Sequence, residues 1–104
     1  MSQGVKHDKG KRQWWYLQGV SNEVGEVIDV LEYGDTKYPA NDGCNWKRVE
    51  NPRKRYTSAL FRHIMAWMQG EKYDPETGKH HLAHAITNCL FLMWFENNSN
   101  SKQT

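Results

Sequence analysis

The chain has 104 residues, a formal net charge of +2 and a charged fraction of 25%, values typical of one small globular domain rather than of a disordered chain. So small a net charge gives no reason to expect direct binding of nucleic acid or of a membrane surface. The sequence has no apolar run of about 18 residues that could span a membrane and no secretory signal, so we expect a cytoplasmic protein.

Residues 1–13 form a polar arm with one compact charged run, Asp8-Lys9-Gly10-Lys11. Lysines beside a glycine can contact a phosphate, because the glycine lets the backbone approach closely, although runs of this kind are more often part of a solvated tail. The aromatic run Trp14-Trp15-Tyr16-Leu17 follows. We expect it to be buried in the core or in a subunit interface.

A first helix is predicted over Asn22–Tyr33, with Ser21 as its cap and Gly34 at its end. Glu23 and Glu26 lie three positions apart and project about 60° from each other, so a divalent cation could join their carboxylates. Two solvated glutamates in a first turn remain the alternative. The predicted buried stripe consists of Val20, Val24, Val27, Ile28 and Leu31.

A long connection over residues 35–51 is rich in turn-forming residues. Long ordered loops in small domains are usually functional. Lys37 could contact a phosphate, and Tyr38, Asn45 and Trp46 could hold a base and a sugar.

A second helix is predicted to begin at Pro52, capped by Asn51, and to end at Gly70. His63 lies on its apolar side, where a histidine is more often structural than a ligand. Arg62 projects about 100° away and could reach a phosphate or solvent. The predicted apolar face consists of Tyr56, Leu60, Phe61, Ile64, Trp67 and Met68.

A third helix is predicted to follow the turn at residues 74–78 and to run to about Glu96. His81, His84 and Asn88 occupy a strip about 60° wide at the edge of its apolar face, where sites between packed helices are built. The polar tail, residues 97–104, is expected to fray. The predicted apolar face consists of Leu82, Ile86, Cys89, Leu90 and Met93.

These elements predict an all-α fold, with residues 1–104 forming one domain of three main helices and one long loop. Three helices of this length leave an incomplete core, so we expect a homodimer or homotetramer. The aromatic runs at residues 14–16 and 93–95 are candidates for the subunit interface.

Several motifs in a fixed order carry a family resemblance: Asp8-x-Gly10-Lys11, Glu26, Tyr33-Gly34-x-x-Lys37-Tyr38, Asn45-Trp46, Arg55-Tyr56, Arg62-His63, Gly70-Glu71-x-x-Asp74-Pro75-Glu76-x-Gly78 and His81-Leu82-Ala83-His84-Ala85-x-x-Asn88. Read together, they resemble the phage dATP/dGTP diphosphohydrolases, relatives of the MazG-like all-α nucleoside triphosphate pyrophosphohydrolases. The resemblance covers nearly the whole chain. It implies an α-helical oligomer that binds a purine deoxynucleoside triphosphate with Mg²⁺ or Mn²⁺ and releases the monophosphate and pyrophosphate.

In the MazG-like class, a Glu-x-x-Glu helix faces a Glu-x-x-Asp helix. Glu23 and Glu26 match the first pair, whereas the second could be Glu71 with Asp74 or the histidines three apart. Mg²⁺ prefers oxygen to imidazole, so those histidines would be outer partners unless the ion is Zn²⁺ or Mn²⁺.

The resemblance thus implies three catalytic residues, Glu26, Glu71 and Asp74. It implies a set of metal ligands drawn from Glu23, Glu26, Glu71, Asp74, His81 and His84. The nucleotide and phosphate contacts that it implies are Asp8, Lys9, Lys11, Lys37, Tyr38, Asn45, Trp46, Arg62, His63 and Asn88.

Two other functions are compatible with the sequence. A nucleotide-binding module could keep the pocket and sequester a nucleotide without hydrolysing it, and the split second acidic pair leaves that open. A metal-dependent phosphohydrolase of the HD type is suggested by His7 and Asp8, but that class needs a histidine upstream of the pair, and none occurs.

Overall fold

The computed structural model describes residues 3–98, and three α-helices form its frame: α1 (Ser21–Lys37), α2 (Pro52–Met68) and α3 (His81–Asn98). The 3₁₀ helix Trp14–Val20 precedes α1, and the 3₁₀ helix Asn45–Arg48 lies between α1 and α2. Within residues 3–98 no strand forms, and the nearest approach to one is an isolated bridge between Tyr73 and His80. The predicted all-α fold is therefore confirmed. The expected fraying beyond Asn98 lies outside the described residues.

The first helix is longer than the sequence predicts. The 3₁₀ helix Trp14–Val20 leads straight into α1, so Ser21 is its first residue rather than its cap. Gly34 was expected to end the helix, but its carbonyl accepts the N–H of Tyr38 at 2.9 Å and the helix continues to Lys37. Both predicted ends are wrong because neither residue meets a break in the helical hydrogen bonding.

The second helix has nearly the predicted bounds. It begins at Pro52 and ends at Met68, and Gly70 follows with a φ of 98°, which favours glycine. Asn51 precedes it with a φ of 52° and makes no side-chain cap, so the predicted capping role is wrong. A proline in the first turn starts this helix without that bond.

Helix α3 lies between α1 and α2 and packs against both, with its larger contact to α2. Residues near the start of α2 contact the end of α3, as Tyr56 does with Phe91, and His63 near the end of α2 contacts His81. The two helices therefore run antiparallel as a hairpin. The small core against α1 consists of Val27, Val30 and Ala83, with Leu31 packed on it.

The apolar face predicted for α3 is not the face that the chain buries. Ile86, Leu90 and Met93 are about half exposed. The buried residues of α3 are instead small or polar, and they lie on two opposite sides of the helix: His81, Ala85 and Asn88 on one, Ala83 and Thr87 on the other. The prediction is wrong because the small side chains allow close helix packing, which leaves the larger apolar side chains outside.

Other predicted core residues are exposed as well. Ile28 on α1 is 50% exposed and Phe61 on α2 is 61% exposed, so the stripes predicted for those helices are buried only in part. The run Trp14–Leu17 forms a 3₁₀ helix with every side chain exposed, and its predicted burial within the chain is wrong. Its alternative place in a subunit interface stays a prediction.

An aromatic cluster joins the long loop to the end of the hairpin. The ring of Trp46 stacks on Phe91, with centroids 4.3 Å apart and planes 15° apart, and meets Trp94 edge to face. The hydroxyl of Tyr56 donates to the carbonyl of Trp46 at 3.0 Å. The long connection thus contains a short 3₁₀ helix, Asn45–Arg48, which fixes it to α2 and α3. None of the helices described is long and apolar enough to cross a membrane.

Candidate metal and nucleotide site

A cleft of about 580 Å³ opens between the end of α1, the long loop and the α2–α3 hairpin. This volume is within the range of small-molecule sites. Polar residues from all three helices line it together with aromatic rings of the loop. The sequence-predicted residues that line it are Lys37, Tyr38, Asn45, Trp46, Arg62, His63, Asp74, His84 and Asn88.

The α2–α3 loop holds Asp74 in a fixed position at the edge of this cleft. Its Oδ1 accepts backbone N–H groups from Glu76 at 2.7 Å and Thr77 at 3.2 Å. The backbone around it closes a tight turn, because its own N–H reaches the carbonyl of Lys79 and its carbonyl accepts from Gly78. Since Oδ1 is committed to the turn, Oδ2 is the oxygen left for other partners. It lies 3.6 Å from Nδ1 of His63.

His81, the first residue of α3, joins two other predicted site residues. Its Nδ1 lies 2.8 Å from Nδ1 of His63, and its Nε2 lies 2.7 Å from Oε1 of Glu71. A carboxylate only accepts, so Nε2 of His81 carries the proton and its Nδ1 presents a lone pair in the neutral ring. Only 4% of the His81 side chain is exposed, whereas 51% of Glu71 is exposed. Glu71 therefore orients a buried imidazole from the solvent side.

His84 has a different role from His81, although the two were predicted as a pair. Its ring stacks on His63 with centroids 4.3 Å apart and planes 5° apart. Its Nε2 is hydrogen bonded to Oγ1 of Thr77 at 2.7 Å. The ring thus forms a wall of the site and is tied to the turn that holds Asp74.

The donor atoms that converge are those of His63, Asp74 and His81, which lie within 4.8 Å of one another. Among residues 3–98, these are the side chains that form a group of at least three converging potential metal ligands. Two imidazole nitrogens and one carboxylate oxygen are a donor set that divalent transition metals accept. The donor chemistry therefore fits a metal.

The electrostatics keep these groups in the protonation states that a metal requires. Burial, together with repulsion from His84 and His81, lowers the pKa of His63 to about 4. Burial also lowers the pKa of His84. Burial opposes ionisation of Asp74, but the backbone N–H groups of Glu76 and Thr77 outweigh it and lower the pKa of that carboxyl. At neutral pH the site therefore offers a neutral His63 and an ionised Asp74.

Three cations stand at the cleft. Nζ of Lys37 lies 2.8 Å from Oε1 of Glu76, which joins the end of α1 to the α2–α3 loop and raises the pKa of that lysine. Arg55 and Arg62 come from α2 and line the same cleft. The cleft is also lined by three acids, Asp35, Asp74 and Glu76. The cleft thus holds cations that could contact a polyphosphate and carboxylates that could contact a metal ion.

Comparison with known proteins gives one family and one informative relative. The family model described as "dATP/dGTP diphosphohydrolase, N-terminal" matches residues 1–104. This chain belongs to that family. The family resemblance read from the motifs is thereby confirmed.

A relative of this family member is the dATP/dGTP diphosphohydrolase of Salmonella phage PMBT28, which is 34% identical over 95 residues. The match covers 91% of this chain and 30% of the relative, so the chain spans under a third of that protein's length. No solved structure matches the chain.

Several predicted site residues of this family member lie away from the converging donors. Glu23 is exposed, Glu26 is partly exposed, and neither belongs to the group of converging ligands. In the arm, the N–H of Lys11 bonds to the carbonyl of Asp8 at 2.9 Å, and Asp8, Lys9 and Lys11 do not line the cleft. Their proposed contacts stay predictions.

Other residues of the site were not identified as functional from the sequence. Thr77 holds His84, and Glu76 holds Lys37. Tyr56 supports the loop through Trp46, and burial raises the pKa of its hydroxyl to about 12. Glu76 and Tyr56 belong to the family motifs, which could have indicated that they are functional. Thr77 is a single threonine in a turn, and nothing in the sequence indicated its role.

Proposed function

We propose that this chain binds dATP or dGTP in the cleft and hydrolyses it, as part of a diphosphohydrolase. Water would add to the α-phosphorus and the bond from that phosphorus to the bridging α–β oxygen would break, giving the deoxynucleoside monophosphate and pyrophosphate. The observation that carries this proposal is the cleft itself, which is lined by cations, by aromatic rings and by two of the three converging donors, His63 and Asp74. The third donor, His81, is buried and does not line the cleft. The names of the family and of the phage relative support the substrate class.

The family resemblance implies Mg²⁺ or Mn²⁺, and the donors of His63, Asp74 and His81 fit a divalent ion such as Mn²⁺. When bound, it would supply positive charge against the phosphate oxygens and lower the pKa of water. Asp74 would contact it through Oδ2, because Oδ1 is held by the turn.

The remaining chemistry belongs to the chain's own residues. Lys37 and Arg62 would neutralise phosphate oxygens, and they reach the cleft from different helices. Tyr38 is 55% exposed at the cleft, with the ammonium group of Lys37 5.5 Å from its ring centroid, and its ring would contact the base. One face of the Trp46 ring is stacked on Phe91. Trp46 would therefore contact the base through its edge or form a wall of the base pocket.

A nucleotide-binding role without hydrolysis is the second candidate. The observation that favours it is that Glu23 and Glu26 do not join the ligand group within residues 3–98. Hydrolysis could then require acidic residues from another copy or from a part of the protein outside this chain. Turnover by this chain alone distinguishes the two.

We also propose that copies of the chain associate as a homodimer or homotetramer. Within residues 3–98 the buried hydrophobic side chains are all small, namely Val27, Val30, Ala83 and Ala85, while large apolar side chains remain exposed on α2 and α3. Covering such surfaces is a common basis of stable association.

The decisive experiment measures pyrophosphate release from each of the four dNTPs with Mg²⁺ or Mn²⁺. We expect release from dATP or dGTP that Asp74→Asn abolishes and Glu26→Gln reduces. The Asn side chain can still accept the two N–H groups of the turn, so the loss would be of charge rather than of structure. Nucleotide binding without release by the wild-type protein would contradict the enzyme proposal and favour the binding module.

A further inference from the structure

We propose that His63, Asp74 and His81 form a binding site for a transition-metal ion, with Mn²⁺ or Zn²⁺ favoured over Mg²⁺. This inference deepens the proposed function and rests on it for the role of the ion. The binding itself can be measured without nucleotide and without turnover.

The geometry brings three donors of the right kind to one point. The Nδ1 atoms of both histidines face each other at 2.8 Å, and Oδ2 of Asp74 lies 3.6 Å from the nearer one. All three donors fit within 4.8 Å. Ligands at about 2.0–2.2 Å from a shared ion lie roughly 2.8–3.6 Å from one another in cis-octahedral or tetrahedral geometry, and the separations of 2.8 and 3.6 Å seen here are within that range.

The donor types favour a transition metal. Mg²⁺ requires oxygen ligands in near-octahedral geometry and binds imidazole poorly. Here two of the three donors are imidazole nitrogens, and one carboxylate supplies the only charge among them. Such a set suits Mn²⁺, Fe²⁺ or Zn²⁺ and leaves coordination positions for phosphate oxygens or water.

An outer partner for one ligand is already present. Glu71 accepts the Nε2 proton of His81 at 2.7 Å, which fixes the ring and its tautomer so that Nδ1 faces His63. Carboxylates in this position orient metal-binding histidines and increase their basicity. A structural histidine needs only one such partner, whereas this one presents its second nitrogen to another imidazole and a nearby carboxylate.

A hydrogen bond between the two histidines is the alternative use of the same atoms. His63 can donate its Nδ1 proton to His81, because the ring is neutral at pH 7. Metal binding requires only that this proton move to Nε2 of His63, which leaves the net charge of the ring unchanged. The same pair of histidines can therefore form a hydrogen bond in the metal-free protein and bind a metal ion when one is present.

The test is calorimetric titration of the metal-free, nucleotide-free protein with Mn²⁺, Zn²⁺ and Mg²⁺, with the visible spectrum of bound Co²⁺ as a second readout. We expect one ion per chain, with Zn²⁺ tighter than Mn²⁺ and Mg²⁺ weaker than both by on the order of 100-fold. His63→Gln, His81→Gln and Asp74→Asn should each weaken Zn²⁺ binding at least roughly tenfold.

Two controls separate this site from adventitious binding. His7→Gln changes an exposed histidine of the arm and should leave metal affinity unchanged. His84→Gln removes a neighbouring ring that contributes no ligand, and one ion per chain should still bind. Asp74→Asn keeps the acceptor for the turn, so it remains informative if a histidine variant does not fold.

Three outcomes would overturn the inference: Mg²⁺ binding as tight as Mn²⁺, Zn²⁺ binding that survives all three ligand variants, or equal loss in His7→Gln. Failure of the proposed function gives a different pattern. Specific Zn²⁺ or Mn²⁺ binding without dNTP hydrolysis would reject the hydrolase and leave the metal site standing. Hydrolysis that persists in the ligand variants would support the hydrolase and show that the reaction does not depend on an ion at this site.

Discussion

His63 and His81 approach each other through their Nδ1 atoms at 2.8 Å, although they are 18 positions apart on different helices. The approach depends on the antiparallel hairpin of α2 and α3, whose loop also brings Asp74 beside them. One supersecondary element thus supplies every atom of the converging ligand group. Helix α1 contributes cleft residues such as Lys37 but no ligand of that group.

Glu71 should act as a positioning residue for His81. Glu71→Ala removes the acceptor of the Nε2 proton, so the imidazole can rotate or change tautomer and metal affinity should fall by roughly 10–100-fold. Glu71→Gln keeps an acceptor oxygen and should cost less. Calorimetric titration with Zn²⁺ measures both, and a Gln variant as weak as the Ala variant would show that charge matters rather than orientation.

The stability of the metal-free protein should fall in mild acid because of His63. Its pKa is about 4 in the folded chain against 6.5 for an unperturbed histidine. The unfolded chain therefore binds more protons between these values, and the free energy of unfolding decreases as the pH falls from about 6.5 to about 4. The loss should reach up to about 3 kcal/mol. Urea denaturation with a chelator present, at several pH values, measures it.

The variant His63→Gln should flatten that pH dependence. Some slope should remain, because burial also lowers the pKa of His84. His7→Gln removes an exposed histidine and should keep the wild-type slope. An unchanged slope in His63→Gln would mean that another group is responsible for the acid sensitivity.

Asp74 should have a structural role that can be separated from its charge. Asp74→Ala leaves the N–H groups of Glu76 and Thr77 without their acceptor, which should cost about 1–3 kcal/mol of unfolding free energy. Asp74→Asn retains an acceptor oxygen and should stay closer to wild type. Urea midpoints of the metal-free proteins compare them, and equal destabilisation by both variants would contradict this account of the turn.

The sequence predicted helix bounds well where a single residue determines the backbone conformation. Pro52 and Gly70 marked the bounds of α2, and the family motifs contained most of the cleft residues. The face of α3 that is buried could not be predicted in the same way. Hydropathy assigned burial to Ile86, Leu90 and Met93, but it does not tell whether the covering surface belongs to the same chain. The His63–His81 contact was also out of reach, because it depends on helix packing.

Lys37 and Glu76 should affect nucleotide binding in opposite directions. Their ion pair at 2.8 Å is exposed on both sides and should contribute little to stability. Lys37→Gln should leave the melting temperature unchanged but weaken dGTP binding several-fold. Glu76→Gln frees the ammonium group for phosphate and should strengthen it. The effects should be larger for the triphosphate than for the monophosphate, and parallel losses in both variants would contradict this model.

The exposed apolar side chains of α2 and α3 should mediate self-association. An apolar stripe at helical spacing on α2 consists of Phe61, Met65 and Met68, each more than half exposed. Leu90 belongs to the exposed apolar stripe of α3. Leu90→Lys should therefore reduce the mass measured by light scattering towards the 12.2 kDa of one chain, while the helical circular dichroism is kept.

Asn98→Lys is the matched control for that substitution, because it adds the same charge at an exposed position of α3 that lies about 80° from the nearest residue of the stripe. It should leave the oligomer intact. Since Leu90 is 46% exposed in the single chain, its replacement should not unfold the helix hairpin. A wild-type protein that is monomeric at micromolar concentration, or a Leu90→Lys variant of unchanged mass, would show that this face has another partner. The apolar stripe would then be a surface for a different part of a longer protein, and the cleft would have to function within one copy.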